Sequence, residues 1–95
     1  SGDPMRHAGR STAKGMGPIF MALNRNKRSV VLDLKTEEGR AACRELAREC
    51  DVFFHNIRAD AIERLGFGYA AVKALKPDVV YVHCSGYGSD GPYAG

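Results

Sequence analysis

Three short segments carry the side chains best suited to hold a polyanionic ligand. Leu34-Lys35 closes the first. His55-Asn56-Ile57-Arg58 forms the second, and Ser85-Gly86-Tyr87-Gly88 the third. Lysine offers a mobile point charge, and arginine a planar fork that grips phosphate with two bonds. Asparagine carries a donor and an acceptor, so Asn56 suits an adenine edge, a ribose or a loop backbone. Glycines let a main chain approach a ligand closely. The chemistry indicated is binding. The glycine loop is no P-loop, because no G-K-[ST] follows, and no G-x-G-x-x-G opens a helix. His55, alone at the end of an apolar run, reads as a structural histidine.

What joins the three segments is their place in a repeating pattern. Ser29-Val30-Val31-Leu32-Asp33-Leu34 is apolar and β-branched. Thr36 to Cys50 has helical spacing, with Thr36 as N-cap and Glu37 and Glu38 in the first turn. Asp51-Val52-Phe53-Phe54 predicts a second strand. Asp60-Ala61-Ile62-Glu63 is an acidic relative of the capping box, and Gly66 sits where a helix C′ glycine belongs, so a helix of barely two turns is expected between them. Another helix is expected from Tyr69 to Leu75, ended by Pro77. Val79-Val80-Tyr81-Val82-His83-Cys84 is the strongest strand signal. Strands alternating with helices predict an α/β fold, a parallel sheet of βαβαβ type. Ligands of such sheets sit beyond the carboxyl ends of the strands, where the three segments fall.

The 95 residues make at most one small domain. A parallel sheet needs cover on both faces, and two short helical stretches are thin cover. We therefore expect a piece of a larger protein, or one that leans on a partner. The net charge of +3 is mildly basic. It suits a phosphate-bearing small molecule and falls short of the clustered charge of a nucleic-acid domain. No apolar run is long enough for a membrane span, and no signal-peptide pattern is present. Cys43, Cys50 and Cys84 form no C-x-x-C pair and match no zinc spacing, so no metal site is expected. They read as core thiols of a reducing, cytoplasmic compartment.

Residues 1–17 are rich in Gly, Ser and basic groups and read as a loop or mobile segment. Gly17 to Asn24 is apolar but too short for periodicity to decide between strand and helical turn. Asn24-Arg25-Asn26-Lys27-Arg28 is either a solvated turn or a phosphate-binding patch. Arg40, Arg44 and Arg48 recur at i, i+4, i+8 and read as a solvated helix face, paired with Glu37 and Glu45. Ala42, Cys43, Leu46, Ala47 and Cys50 make the apolar stripe of the same helix.

Taken together these segments resemble one family. Asn24 to Lys35 is similar to the N-R-x-K-R-S-h-x-L-D-h-K stretch of the class III CoA-transferases, the CaiB/BaiF family. Glu38-Gly39-Arg40 fits the start of that family's first helix. Asp51-Val52 through Asn56 and Arg58 fits its A-D-V-h-h-x-N-F-x-P-G segment. Glu63-Arg64-Leu65-Gly66 fits its x-R-h-G turn, and Pro77 through Tyr81 its N-P-x-h-h-Y strand. Ser85-Gly86-Tyr87-Gly88 with Gly91-Pro92-Tyr93 fits its S-G-[FY]-G-x-x-G-P-Y loop. Gly2-Asp3-Pro4-Met5-Arg6 resembles its G-D-P-x-R. The resemblance spans nearly the whole chain, in order. Ile57 replaces the family's Phe, and Ala59-Asp60 its Pro-Gly.

The resemblance implies that residues 1–95 are a partial, N-terminal, CoA-binding Rossmann-like domain. It implies coenzyme A as substrate or carrier, an acyl-CoA and a carboxylic acid acceptor as reaction partners, and an interlocked homodimer in the full-length protein. It places coenzyme A contacts at Leu32, Asp33, Leu34 and Lys35, at Asn56, Ile57 and Arg58, and at Arg64 and Leu65. In transferases of the family an Asp carboxylate attacks the acyl-CoA and forms covalent intermediates. That Asp is expected downstream of Gly95. None of Asp33, Asp51, Asp60, Asp78 or Asp90 aligns with it, so no catalytic residue is assigned, and the isolated chain is expected to be inactive. A 2-methylacyl-CoA racemase of the same family is the alternative activity; Asn56 favours the transferase. A small basic nucleic-acid-binding module built on residues 24–28 and the Arg row is the alternative from another class. It lacks Trp and free stacking aromatics, so no nucleic-acid or membrane partner is expected.

Overall fold

The computed structural model describes residues 2–94. The chain divides into two compact units, residues 1–30 and 31–95.

The first unit is built around Arg6. Pro4–His7 is a single 3-10 turn, capped by the Asp3 side chain, which accepts from the Met5 amide at 2.9 Å. The Arg6 guanidinium lies 3.9 Å over the Phe20 ring and donates to the Gly15 carbonyl at 3.3 Å. Residues 1–17, read as loop, thus contain one helical turn tied by a side chain to its neighbours. Helix α1 spans Pro18–Leu23. It settles the ambiguous 17–24 stretch as helix. Proline at N1 is pre-set for a helix start and has no amide to lose.

The second unit is α/β. Helix α2 spans Glu37–Glu49, capped by Thr36, whose hydroxyl accepts from the Gly39 amide at 3.0 Å. Strand β1 is Val52–His55, α3 is Ala59–Arg64, α4 is Tyr69–Leu75 and β2 is Val80–His83. The strands pair in parallel, Val52 with Val80 through His55 with His83. Parallel neighbours need a long crossover, and α3 with α4 supplies it.

One expected strand is absent among the described residues. Ser29–Leu34 joins no ladder, and the sheet has two strands, not the three of a βαβαβ unit. A β-branched run becomes a strand only when another backbone takes its amides and carbonyls. Among the described residues no such partner pairs with this run, and Val31 is 94% exposed.

The end of α3 explains the local path. Gly66 takes φ 85°. The Phe67 amide reaches back to the Ile62 carbonyl at 3.0 Å and the Gly66 amide to Glu63 at 3.0 Å. This is a Schellman closure, and its hydrophobic partners are Ile62 and Phe67. The expected capping box is not formed. Arg58 is the N-cap, with no side-chain bond, and Asp60 lies inside the first turn.

Phe67 and Val72 are fully buried and Ile62 nearly so. Leu34, Cys43, Phe53, Ile57, Leu65, Val79 and Tyr81 pack around them. Each fully buried apolar side chain of this size contributes about 1.5–3 kcal/mol. Phe53 lies between Phe67 and Tyr81, stacked on both at 6.2 and 5.4 Å. Strand alternation sends Phe53, His55, Tyr81 and His83 to this side. Val52, Phe54 and Val80 turn the other way and are exposed. The apolar stripe of α2 is also half open. Ala47 is buried and Cys43 and Cys50 half-buried, but Leu46 and Ala42 are exposed.

Candidate functional site

At the carboxyl ends of β1 and β2 lies an open groove of about 610 Å³. Asn56, Arg58 and Asp60 line one side; His83, Ser85 and Tyr87 are among those on the other. Asn56 and Arg58 are exposed, Arg58 with 80% of its side chain free. The Ser85 hydroxyl accepts from the Gly88 amide at 3.1 Å and closes the glycine loop on itself. Tyr87 and Tyr93 pack at 5.7 Å, both largely exposed.

Not every residue expected at the site reaches this groove. Arg64 is linked to it through a carboxylate: Asp60 lies 3.5 Å from Arg58 Nε and 3.4 Å from Arg64. Ile57, Leu65 and Leu34 are half-buried and pack against the core. Leu32, Asp33, Leu34 and Lys35 lie in the turn before α2. There the Asp33 carboxylate accepts from the Lys35 amide at 3.0 Å. Arg40 donates to the carbonyls of Leu34 at 3.2 Å and Lys35 at 3.3 Å. Lys35 is exposed.

The Arg row is ion-paired as expected but only partly solvated, with Arg40 and Arg44 half-buried. Arg40 pairs with Glu37 at 3.0 Å, Arg44 also pairs with Glu37, and Arg48 pairs with Glu45. The two guanidinium groups, Arg40 first, hold the Glu37 carboxyl below its usual range. Arg40 alone does more, through the two carbonyls it binds.

His55 is the residue whose role the sequence concealed. It is 8% exposed. Its Nδ1 accepts from the Ile57 amide at 3.1 Å. Its Nε2 lies 2.8 Å from the Tyr81 hydroxyl, and that hydroxyl donates to the Phe67 carbonyl at 2.8 Å. Nδ1 accepts, so the proton of the neutral ring sits on Nε2 and is given to Tyr81. Burial first, then the neighbouring His83, holds His55 below the usual imidazole range. The two rings stack at 4.6 Å.

Cys84 departs from expectation. It is exposed and lines the groove, because β2 ends at His83 and the next residue faces the opening. Cys43 and Cys50 are half-buried free thiols, and burial pushes the Cys43 thiol up. Among the described residues, no three His, Cys, Asp or Glu side chains converge closely enough to hold a metal ion. No described helix is long and apolar enough to cross a membrane.

The first unit has its own depression, about 900 Å³, with Arg6, Arg25, Lys27 and Arg28 beside Met16 and Phe20. It is the larger of the two, but it is not at a strand end. Its basic residues are the 24–28 turn already marked in the sequence.

The second unit is thus a parallel pair of strands with a crossover of two helices and an open groove at the carboxyl ends, the end at which ligands of α/β sheets generally sit. The profile of CoA-transferase family III matches residues 1–95, and the chain belongs to that family. It is 42% identical over 100 residues to an acyl-CoA transferase of Fusarium pseudograminearum, covering 97% of this chain and 22% of that protein. It is 39% identical over 92 residues to a succinyl-CoA–D-citramalate CoA-transferase of Chloroflexus aurantiacus, covering 97% and 23%. A crystal structure of a CaiB/BaiF family protein from Brucella suis superposes with a TM-score of 0.83 at 37% identity, covering 98% of this chain and 26% of that one. The chain thus spans about a fifth to a quarter of the length of these relatives.

Proposed function

We propose that this chain supplies a coenzyme A-binding portion of an acyl-CoA:carboxylate CoA-transferase. The observation that carries the reading is the groove at the ends of β1 and β2, with Asn56 and Arg58 on its wall. Their chemistry fits the ligand. An exposed guanidinium can meet phosphate, and a strand-end amide can meet adenine or ribose. Lys35 in the turn before α2 is a further cation for the phosphates. The main chain of Leu32, Asp33, Leu34, Ile57 and Leu65, and the side chain of Arg64, complete the proposed contacts. Asp60 sets a limit on the fit, because its carboxylate sits between two of the cations a phosphate would use.

The donor would be an acyl-CoA thioester and the acceptor a free carboxylate, as the name of the Chloroflexus transferase above indicates for that protein. The chain's part in the reaction is to bind and orient the thioester's nucleotide end. Binding energy from a remote part of a substrate supports chemistry elsewhere on it. A homodimeric full-length protein in the cytoplasm accords with this reading. The three free thiols support the compartment.

The test is a calorimetric titration of the chain with coenzyme A at moderate salt. We expect binding that weakens by about tenfold in Asn56→Ala and in Lys35→Ala, the loss of one charge-assisted or bidentate contact each. Equal affinity in both variants would remove these residues from the site. The chain alone is expected to show no exchange of CoA between acids; measurable turnover would overturn that part.

A further inference from the structure

The bonds of His55 form a continuous path from the core to the groove. Phe67, fully buried, offers its carbonyl to the Tyr81 hydroxyl; the hydroxyl receives the His55 Nε2 proton; and His55 Nδ1 holds the Ile57 amide. The peptide joining Asn56 to Ile57 is planar and trans. Fixing the direction of the Ile57 N–H therefore fixes the Asn56 carbonyl, which points the opposite way. It also sets the backbone from which Asn56 and Arg58 project.

We propose that His55 is the positioning residue of the groove: clamped between the Tyr81 hydroxyl and the Ile57 amide, its neutral ring sets the plane of the Asn56–Ile57 peptide and so the placement of Asn56 and Arg58. The choice of coenzyme A as the ligand rests on the function proposed above; the clamp itself does not. An imidazolium cannot accept a hydrogen bond. Protonation of His55 removes the acceptor for the Ile57 amide and releases the Asn56–Ile57 peptide.

The surroundings make the neutral ring the resting form. From β2, His83 stacks on His55 and Tyr81 bonds to it. From α4, Tyr69 meets Tyr81 edge-on at 5.7 Å. From α3, the Glu63 charge acts on Tyr81. Phe53 meets His55 edge-on and is apolar. Among the described residues the ring bonds only to the Tyr81 hydroxyl and the Ile57 amide and to no carboxylate, so nothing in this set rewards its protonation.

The full chain, labelled with nitrogen-15, is followed by NMR from pH 8 to pH 5 without ligand. We expect the His55 ring to show the Nε2–H form. We expect the protection factor of the Ile57 amide to fall roughly five- to tenfold as His55 titrates, the loss of one hydrogen bond. The Cys84 amide, bonded to the His55 main-chain carbonyl at 2.9 Å, serves as the fold control and keeps its protection. His55→Asn places an amide oxygen near the Nδ1 position; it keeps Ile57 protected at every pH and loses the titration. His55→Gln lacks that acceptor and loses the protection while Cys84 keeps it. An Nδ1–H ring, or an Ile57 amide indifferent to pH and to His55→Gln, overturns the clamp.

The second arm is coenzyme A affinity. We expect it to weaken about tenfold from pH 8 to pH 5 in the wild type, with a flatter profile in His55→Asn. If Ile57 follows His55 but coenzyme A does not bind, the clamp stands and the ligand reading falls. If coenzyme A binds equally to His55→Gln and wild type, the ligand reading stands and the positioning role falls.

Discussion

Gly39 packs directly against the main-chain carbonyl of Asp33. A Cβ built on Gly39 would stand 1.9 Å from that oxygen and 2.6 Å from its carbon. The same oxygen receives the Thr36 hydroxyl at 2.8 Å and the Thr36 amide at 3.1 Å. The Asp33 carbonyl is thus the hub on which the turn before α2 closes, and Gly39 leaves the space for it. Leu32 to Lys35 owe their conformation to a glycine in the following helix.

The first prediction reverses an ordinary rule. Gly→Ala inside a helix normally gains about 1 kcal/mol. At Gly39 the added methyl group meets backbone, and overpacking of this kind costs about 1–3 kcal/mol or more. Gly39→Ala should therefore lower stability, read as a lower urea midpoint at unchanged slope. A stabilised variant would mean that the Asp33 turn moves aside freely.

Tyr81→Phe should cost about 1–3 kcal/mol, because it strands the Phe67 carbonyl and the His55 Nε2–H together. Its ring stack with Phe53 would survive. Tyr69→Phe is the control; Tyr69 is half exposed, and among the described residues its hydroxyl has no hydrogen-bond partner. The midpoint of thermal unfolding should fall in the first variant and stay in the second.

Much of this architecture is legible locally. Thr36, Gly66 and Pro77 mark where α2 starts and where α3 and α4 stop, because caps and breakers act within a few residues of themselves. Pro18 could have settled α1 by the same logic. Ser29–Leu34 could not be settled this way, since a strand is made by its neighbour. Cys84 was misplaced by one residue of strand length, which is enough to turn a side chain from packed to open. His55 defeated local reading altogether. Its partner Tyr81 lies 26 residues away, and only the register of β1 with β2 brings them together. At the candidate site, topology pointed to Asn56 and Arg58, while the Asp60 link between Arg58 and Arg64 needed coordinates.

Stability should fall at both ends of the pH scale. His55 is held below its usual pKa by burial and then by His83. Its unfolded form takes up a proton first as pH drops, so stability is full above about pH 6.5 and is lost as pH falls through the folded value. Tyr81 and Cys43 are raised, each by burial first. Their unfolded forms lose protons first as pH rises, so their contributions are full below the unfolded pKa and are lost towards the folded ones. Urea midpoints from pH 5 to pH 10 should trace a dome. A flat acid limb in His55→Asn would assign that limb to His55; an unchanged limb would assign it elsewhere.

Asp60 should act as a brake on anion binding. It shares its carboxylate between Arg58 and Arg64, all three largely exposed. Exposed pairs of this kind add little to folding. Asp60→Asn should leave the unfolding midpoint nearly unchanged and raise coenzyme A affinity, with a steeper dependence on salt. Weaker binding in Asp60→Asn would show that the carboxylate arranges the arginines rather than competing for them.

The Schellman closure at Gly66 also sets an order of events in time. Its two bonds, Phe67 to Ile62 and Gly66 to Glu63, span a single short loop and require no distant partner. The pairing of β1 with β2 must wait for the whole crossover, and contacts between remote residues form slowly because chain entropy is lost before they reward it. The bend that buries Phe67 is thus available as a nucleus before the sheet exists. A Gly66→Ala chain, strained at φ 85°, should refold more slowly than wild type, whereas Val80→Ala should chiefly unfold faster.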